Sequence, residues 1–192
     1  MPVFPGDEPV ELVKNEVAGP GGVIMNHTMK SSMHVGTHMD GPAHMISDGR
    51  YLFEMQPKKF TGRGVFIDVR GRKEVHAEML DTIELRAGDC ICICTGASVR
   101  FREPNYFDDI PSISPGFCQR LADAKVSMVI LDFCSPDAPP YPLHKILLCA
   151  EVLIVENACN LELLDVVKEF EIIALPLKIK ADSAPVRLIA RY

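Results

Sequence analysis

The chain has 192 residues, of which 47% are hydrophobic and 24% are charged, and its formal net charge is −6. This length and composition predict one globular domain that spans residues 1–192. The acidic balance argues against nucleic acid as a partner, and no apolar run is long enough to cross a membrane. The first residues lack the features of a secretion signal, which predicts a cytoplasmic location.

The first part of the chain alternates strand patterns with turns. Residues 10–13 and 23–31 are expected to be strands, with a glycine-rich loop between them. Residues 64–69 form an apolar run that is typical of a buried strand. Residues 76–83 have the pattern of a short helix.

Cys90, Cys92 and Cys94 alternate along the next expected strand, residues 90–95, and would share one of its faces. Three thiols could be soft metal ligands. However, the chain has seven cysteines, an odd number without the spacing of a disulfide framework. The pattern therefore favours small buried side chains in a reduced protein.

The second half of the chain mixes strands and helices. Residues 97–112 are expected to form a long loop, after which Ser114 caps a helix that has Pro115 in its first turn and runs to about residue 125. Further strands are predicted at residues 127–132, 152–155, 172–178 and 186–191, and further helices at residues 143–148 and 161–170. This order predicts an α/β fold with a mixed, barrel-like sheet and flanking helices.

Residues 34–44 read His-Val-Gly-Thr-His-Met-Asp-Gly-Pro-Ala-His and contain three of the six histidines in the chain. In a strand, His34, His38 and Asp40 would point to the same face. A straight strand would separate the Cα atoms of His34 and His38 by roughly 13 Å. The chain must therefore bend for both imidazoles to reach one ion, and Gly36 permits the bend. Imidazole and carboxylate together are typical of zinc or manganese sites.

This stretch resembles the H-x-G-T-H-x-D-x-P-x-H motif of the cyclase-like metal-dependent hydrolases, a family that includes bacterial kynurenine formamidase and isatin hydrolase. All the specified positions of the motif match, and the resemblance covers nearly the whole chain. It implies the swivelling β/β/α fold. It also implies that His34 and His38 bind a first metal ion, that Asp40 bridges two ions and that His44 is the catalytic acid and base.

Two residues in the second half extend the predicted site. His144 opens a short helix after a proline-rich loop. Glu156 ends an apolar strand, where a carboxylate is costly unless it is paired or bound to a metal. Residues 143–157 resemble the block of the same family in which a histidine opens a short helix and Glu-Asn closes the next strand. The resemblance implies that His144 binds the second ion and that Glu156 is a bridging ligand.

Phe4 is the predicted substrate-binding residue. It precedes the Pro-Gly-Asp turn at the position where kynurenine formamidases have a tryptophan that lines the substrate pocket, and this chain has no tryptophan. A phenyl ring can still stack on an aromatic substrate. The difference nevertheless weakens the expectation that N-formylkynurenine is the substrate.

The resemblance predicts a metal-dependent hydrolase of a small amide, similar to an arylformamidase. A divalent ion makes hydroxide available at neutral pH, and His44 could move the proton to the leaving amine. Zinc is the expected metal and manganese the alternative, with one or two ions per chain. The alternative hypotheses are hydrolysis of a cyclic amide or ester, and a cyclase or dehydratase that uses the same site. A non-enzymatic metal-binding module is the last alternative, and His44 argues against it because a purely structural metal site would not need this residue. The expected partner is a small molecule. Relatives pair their subunits, which implies a homo-oligomer, either a dimer or a tetramer.

Overall fold

The computed structural model describes residues 3–108 and 110–192. Within these residues the chain forms eleven strands, two α-helices and several short 3-10 turns. The helices are α1 (Pro115–Asp123) and α2 (Pro142–Cys149). The strands are β1 (Glu11–Gly19), β2 (Gly22–Lys30), β3 (His38–Asp40), β4 (Thr61–Asp68), β5 (Glu74–Val75), β6 (Cys90–Cys94), β7 (Ser112–Ile113), β8 (Met128–Leu131), β9 (Leu153–Glu156), β10 (Glu171–Pro176) and β11 (Ser183–Arg191).

Seven of the strands close into a barrel, in the order β4-β6-β8-β9-β3-β11-β10. Neighbouring strands from β4 to β9 run parallel. The remaining pairs, including the β10–β4 pair that closes the barrel, are antiparallel. The predicted α/β fold with a mixed, barrel-like sheet and flanking helices is therefore confirmed. None of the described helices is long and apolar enough to span a bilayer.

The two faces of the barrel strands pack into two separate apolar clusters. Ile91 and Ile93 pack with Phe117 of α1 and Leu147 of α2 on the outer face. Cys90, Cys92 and Cys94 lie in the other cluster, on the face that points into the barrel. The prediction that these cysteines are buried is confirmed. Burial raises the pKa of the Cys90 thiol to about 12, so this side chain is inert at neutral pH.

The start of α1 has the cap that the sequence predicts. The Ser114 hydroxyl accepts a hydrogen bond from the backbone N–H of Phe117, and Pro115 is in the first turn. This confirms the predicted start of the helix. The helix ends at Asp123, near the expected residue 125.

Two predicted helices are only 3-10 turns. Residues 76–83 contain the turn Ala77–Leu80, and residues 161–170 contain the turn Leu161–Leu164. The buried side chains of the second turn, Leu161 and Leu164, are three residues apart, which matches the three residues per turn of a 3-10 helix. A longer amphipathic pattern would be needed to hold an α-helix on the barrel.

Strands β1 and β2 form a hairpin outside the barrel sheet, joined by a turn at residues 20–21. β1 is nine residues long and so extends well beyond the predicted residues 10–13. Every residue of both strands except Gly19 is exposed. The rest of the described chain therefore covers neither face of this hairpin.

Candidate metal centre

The predicted bend in residues 34–44 occurs at Gly36, which has a φ of +68°. The left-handed conformation is easily adopted by glycine, and it turns His34 back toward His38. The strand itself is short and includes only His38–Asp40. As a result the ring centroids of His34 and His38 are 5.1 Å apart.

The pairing of β3 with β9 adds the first residue from the second half of the chain. The register places His38 opposite Glu156. The Nε2 atom of His38 is 3.4 Å from Oε2 of Glu156 and 3.5 Å from Oδ1 of Asp40. Met39 and Val155 belong to the cluster inside the barrel, so the charged side chains beside them point to the outer face.

His144 reaches the same point from the first turn of α2. Its Nε2 atom is 3.5 Å from Oε1 of Glu156 and 3.8 Å from Oδ2 of Asp40. The Nδ1 atom on the other side of the ring hydrogen-bonds to Asp137, whose second carboxylate oxygen accepts a bond from the backbone N–H of Leu143. Asp137 thus ties the ring of His144 to the start of its own helix. The sequence analysis gave Asp137 no role.

Among the described residues, three buried polar atoms at this point lack a well-formed hydrogen bond: Nε2 of His38, Oε1 of Glu156 and Oδ1 of Asp40. The last of these is 3.1 Å from Nδ1 of His34, a charge contact. A buried polar atom without a partner costs free energy, so such groups are rare in folded proteins. Two carboxylates and two imidazoles that converge in this way are a donor set for a divalent cation. His34, His38 and Asp40 can offer ligand atoms within 4.8 Å of one another, and so can Asp40, His44 and His144.

Asp182 joins two histidines of the motif. Its Oδ2 atom is 2.9 Å from Nε2 of His34 and 3.1 Å from Nδ1 of His44. Asp182 precedes β11, and the pairing of Ser183 with Asp40 brings it to the site. The sequence analysis missed this residue, because a single aspartate between Ala181 and Ser183 has no pattern that marks it.

The charges of the site shift the pKa values of its members. Burial lowers the pKa of His34, but Asp40 and Asp182 outweigh burial and raise it to about 9. The pKa of His144 also rises to about 9, because Asp137, Glu156 and Asp40 outweigh burial. Burial alone would raise the pKa of Asp40, yet the surrounding histidines hold it well below its usual range. The site therefore attracts positive charge, either protons or a metal ion.

A hydrogen-bond network supports the backbone at the bend. The carbonyl of Gly36 accepts bonds from Nδ1 of His38 and from the side-chain amide of Asn157. The hydroxyl of Tyr106 donates to the Oδ1 atom of Asn157, and Thr37 donates to its backbone carbonyl. Asn157 itself has a φ of +55°. These bonds hold the ring of His38 in its orientation. The sequence predicted that Glu-Asn ends the strand, but it predicted none of these hydrogen bonds.

A pocket of about 270 Å³ opens above the cluster. His34, Asp40, His44, His144 and Glu156 are among its lining residues, together with the side chains of Phe4, Met45, Phe107 and Tyr141. Phe4 packs edge-on against Phe107 at a centroid distance of 5.6 Å. All the residues predicted for metal, proton transfer and substrate except His38 therefore line one cavity.

The sequence model of one family, described as "Putative cyclase", matches residues 1–138. The chain belongs to the cyclase family. Its motif His34–His44 lies within the matched residues, and the predicted family is confirmed.

Relatives of this cyclase-family chain include kynurenine formamidases. The chain is 28% identical over 197 residues to the enzyme of Geobacillus thermodenitrificans, with 100% of this chain and 91% of that protein covered. It is 30% identical to the kynurenine formamidase of Salinibacter ruber, with 98% and 91% covered. Among solved structures, isatin hydrolase A from Ralstonia solanacearum superimposes with a TM-score of 0.83 at 22% identity, covering 97% of this chain and 83% of that one. That structural likeness shows a shared fold.

Proposed function

We propose that this cyclase-family chain is a metal-dependent hydrolase of a small amide, similar to an arylformamidase, with N-formylkynurenine as the first candidate substrate. The observation that carries the proposal is the convergence of buried donor atoms from His38, Asp40 and Glu156, which lack well-formed hydrogen bonds among the described residues, next to a pocket that Asp40 and Glu156 line. The names of the kynurenine formamidase relatives support an amide as the substrate.

The donor set divides into two overlapping groups. His34, His38, Asp40 and Glu156 would hold one ion, and His144, Asp40 and Glu156 would hold another, so the two groups would share Asp40 and Glu156. Zinc suits the mixture of imidazole and carboxylate, and manganese is the alternative. When bound, a divalent ion supplies an activated water molecule and polarises the substrate carbonyl. One ion in the first group would be enough for this chemistry.

His44 is the acid and base of the proposed reaction. It lines the pocket, and its ring centroid is 4.3 Å from that of His34. The Asp182 carboxylate beside Nδ1 favours the tautomer that carries the proton there, which leaves Nε2 free to accept a proton. In the proposed reaction, Nε2 takes the proton of the attacking water and returns it to the nitrogen of the leaving amine.

The pocket wall supports an aryl substrate. The rings of Phe4, Phe107 and Tyr141 line the pocket beside the metal ligands. Aromatic side chains bind a flat ring through offset or edge-to-face contacts. A cyclic aryl amide or an aryl ester would use the same walls and the same proton transfer, and this is the second candidate, favoured by the presence of Phe4 where the formamidases have a tryptophan.

The test is a substrate comparison at controlled metal content. Protein stripped with a chelator and reloaded with Zn²⁺ or Mn²⁺ is assayed with N-formylkynurenine, isatin and an aryl ester, with the stripped protein as control. We expect products that have gained water, formed only by the reloaded protein. Products that have lost water would instead favour a cyclase or dehydratase. No turnover of any amide or ester at full metal loading would leave a metal-binding module.

Two further parts of the proposal concern the state of the protein. We infer that the chain assembles into a homo-oligomer, a dimer or a tetramer, which agrees with the exposed hairpin. The cytoplasmic location stays a prediction.

A further inference from the structure

The hairpin of β1 and β2 exposes a large apolar surface. Seven of its large apolar side chains are between 50% and 66% exposed: Leu12, Val13, Val17, Val23, Ile24, Met25 and Met29. An isolated two-stranded hairpin is only marginally stable in water. Apolar patches of this kind mark interaction surfaces in soluble proteins.

The apolar residues occupy both faces of the hairpin. Val17 pairs with Ile24 on one face, and Leu12 pairs with Met29 on the other. β1 also has a free edge, because β2 is its only partner within the described residues. β1 contains no proline, so each of its residues keeps the backbone N–H group that pairing with another strand requires.

The centre of β1 is complementary to itself. It reads Val13-Lys14-Asn15-Glu16-Val17, so that the apolar residues are symmetric about Asn15 and the charges are opposite. In an antiparallel pair of two such strands centred on Asn15, each Lys14 lies opposite Glu16 of the partner subunit. Centring the pair on Lys14 or on Glu16 would instead place like charges directly opposite, which is destabilising.

We propose that β1 pairs with β1 of a second copy of this chain, antiparallel and centred on Asn15, so that the two hairpins form one four-stranded sheet. Because the arrangement is two-fold symmetric, both copies use the same residues, as in most homodimers. Each face of the new sheet measures roughly 30 Å by 20 Å. Such a face is wide enough for a second sheet to pack on it, which would convert the dimer into a tetramer. The proposal does not depend on the reaction catalysed.

Disulfide trapping tests the register. Asn15 and Asn26 are directly paired and both exposed, so they form a matched pair of positions. Cβ atoms of directly opposed residues are about 4.5–5.5 Å apart, whereas the two Asn26 positions would be three strand spacings, roughly 14 Å, apart. The exposed Cys149 and Cys159 are first replaced by serine to remove background.

In that background, Asn15→Cys is expected to form a covalent dimer on mild oxidation, and Asn26→Cys is expected to stay monomeric on a non-reducing gel. Crosslinking through Asn26→Cys but not through Asn15→Cys would assign the contact to β2 and overturn the proposal. Failure of both variants to crosslink would also overturn it, as would a monomeric wild-type protein in sedimentation experiments.

A mixing experiment tests the charge pairs. Lys14→Glu and Glu16→Lys each place like charges opposite one another in their own dimers, so each is expected to raise the dissociation constant roughly tenfold or more. Mixing the two variants restores opposite charges across the contact and should restore wild-type affinity. The ion pair of Lys14 with Glu16 inside each chain stays broken in the mixture, so its loss cannot explain the recovery.

Lys168→Glu, an exposed charge change outside the hairpin, is the control and should dissociate like wild type. A mixture of the two hairpin variants that associates no more tightly than either variant alone would overturn the proposed register.

Discussion

The candidate metal centre and the hairpin of β1 and β2 are close in the sequence, since β2 ends at Lys30 and the motif begins at His34. Within the described residues, the two regions leave opposite kinds of group without a partner. At the candidate centre, buried polar atoms of His38, Asp40 and Glu156 lack a well-formed hydrogen bond within the part of the chain that the structure describes. On the hairpin, apolar side chains such as Leu12 and Val23 are more than 60% exposed. Both arrangements cost free energy in a single chain. The kind of group left over in each region is the basis of the two proposals, namely a cation at the candidate centre and a second apolar surface at the hairpin.

The largest effect is expected from Asp40→Asn, because Asp40 belongs to both proposed groups of metal ligands. We expect metal content to fall to background and all metal-dependent turnover to disappear, as measured by elemental analysis and the hydrolysis assay. Glu162→Gln, an exposed change elsewhere, should keep both. Full metal content in Asp40→Asn would show that the buried polar atoms of this cluster do not form a metal site.

His44→Ala separates proton transfer from metal binding. Removing a general acid and base is expected to lower kcat by roughly 10²- to 10⁴-fold, while metal content stays at the wild-type value. His76→Ala is the matched control, because His76 is exposed and its one ion pair among the described residues is with Glu74. Unchanged turnover in His44→Ala with metal bound would remove His44 from the mechanism.

Metal affinity is expected to depend on pH, because ligand imidazoles must be neutral. The pKa values of His34 and His144 are raised to about 9 in the metal-free protein. Below about pH 9 a metal ion must displace a proton from each of these two histidines. The affinity for the metal should therefore fall by up to roughly 100-fold for each unit by which the pH is lowered. Calorimetry in buffers of different ionisation enthalpy at pH 7 should detect the released protons.

The same two pKa shifts make the stability of the metal-free protein fall as the pH rises, whereas metal affinity rises. A raised pKa stabilises the fold below the unfolded value of 6.5, and this contribution is lost as the pH rises through about 9. Stability that increases over this range in the absence of metal would contradict the assigned charges.

Asp182→Asn is expected to have a moderate effect, since Asp182 contacts His34 and His44 and orients their rings. Residues that orient ligands typically contribute 10- to 100-fold in metal affinity or activity. We expect kcat, measured with metal bound, to fall more than KM rises, because the rings of His34 and His44 lose the carboxylate that orients them. A loss of stability with normal kcat would make its role structural.

Phe4→Ala is expected to have the smallest effect. Loss of one aromatic contact should raise KM by roughly 2- to 10-fold and change kcat little. Tyr192→Ala, a highly exposed aromatic residue outside the pocket, serves as control. An unchanged KM for every aryl substrate would exclude Phe4 from substrate binding.

Prediction from the sequence succeeded where the determining residues are neighbours in the chain. The bend at Gly36, the cap at Ser114 and the buried face of Cys90 to Cys94 all follow from local spacing and chemistry. Prediction failed for the apparent helix at residues 161–170, where the structure has only the 3-10 turn Leu161–Leu164, whose buried side chains are three residues apart. It also missed the full length of β1, whose mixed polar and apolar pattern does not match a strand with one buried face.

By itself, the sequence determined the family, the fold class, the candidate metal ligands His34, His38 and Asp40 and the candidate acid and base His44, because these four residues lie within eleven positions. Only the tertiary structure decided how distant residues meet them. The register of β3 with β9 sets Glu156 opposite His38, and the pairing of β11 with β3 brings Asp182 to His34 and His44. Strand register depends on contacts between residues more than a hundred positions apart, and local sequence spacing carries no record of those contacts.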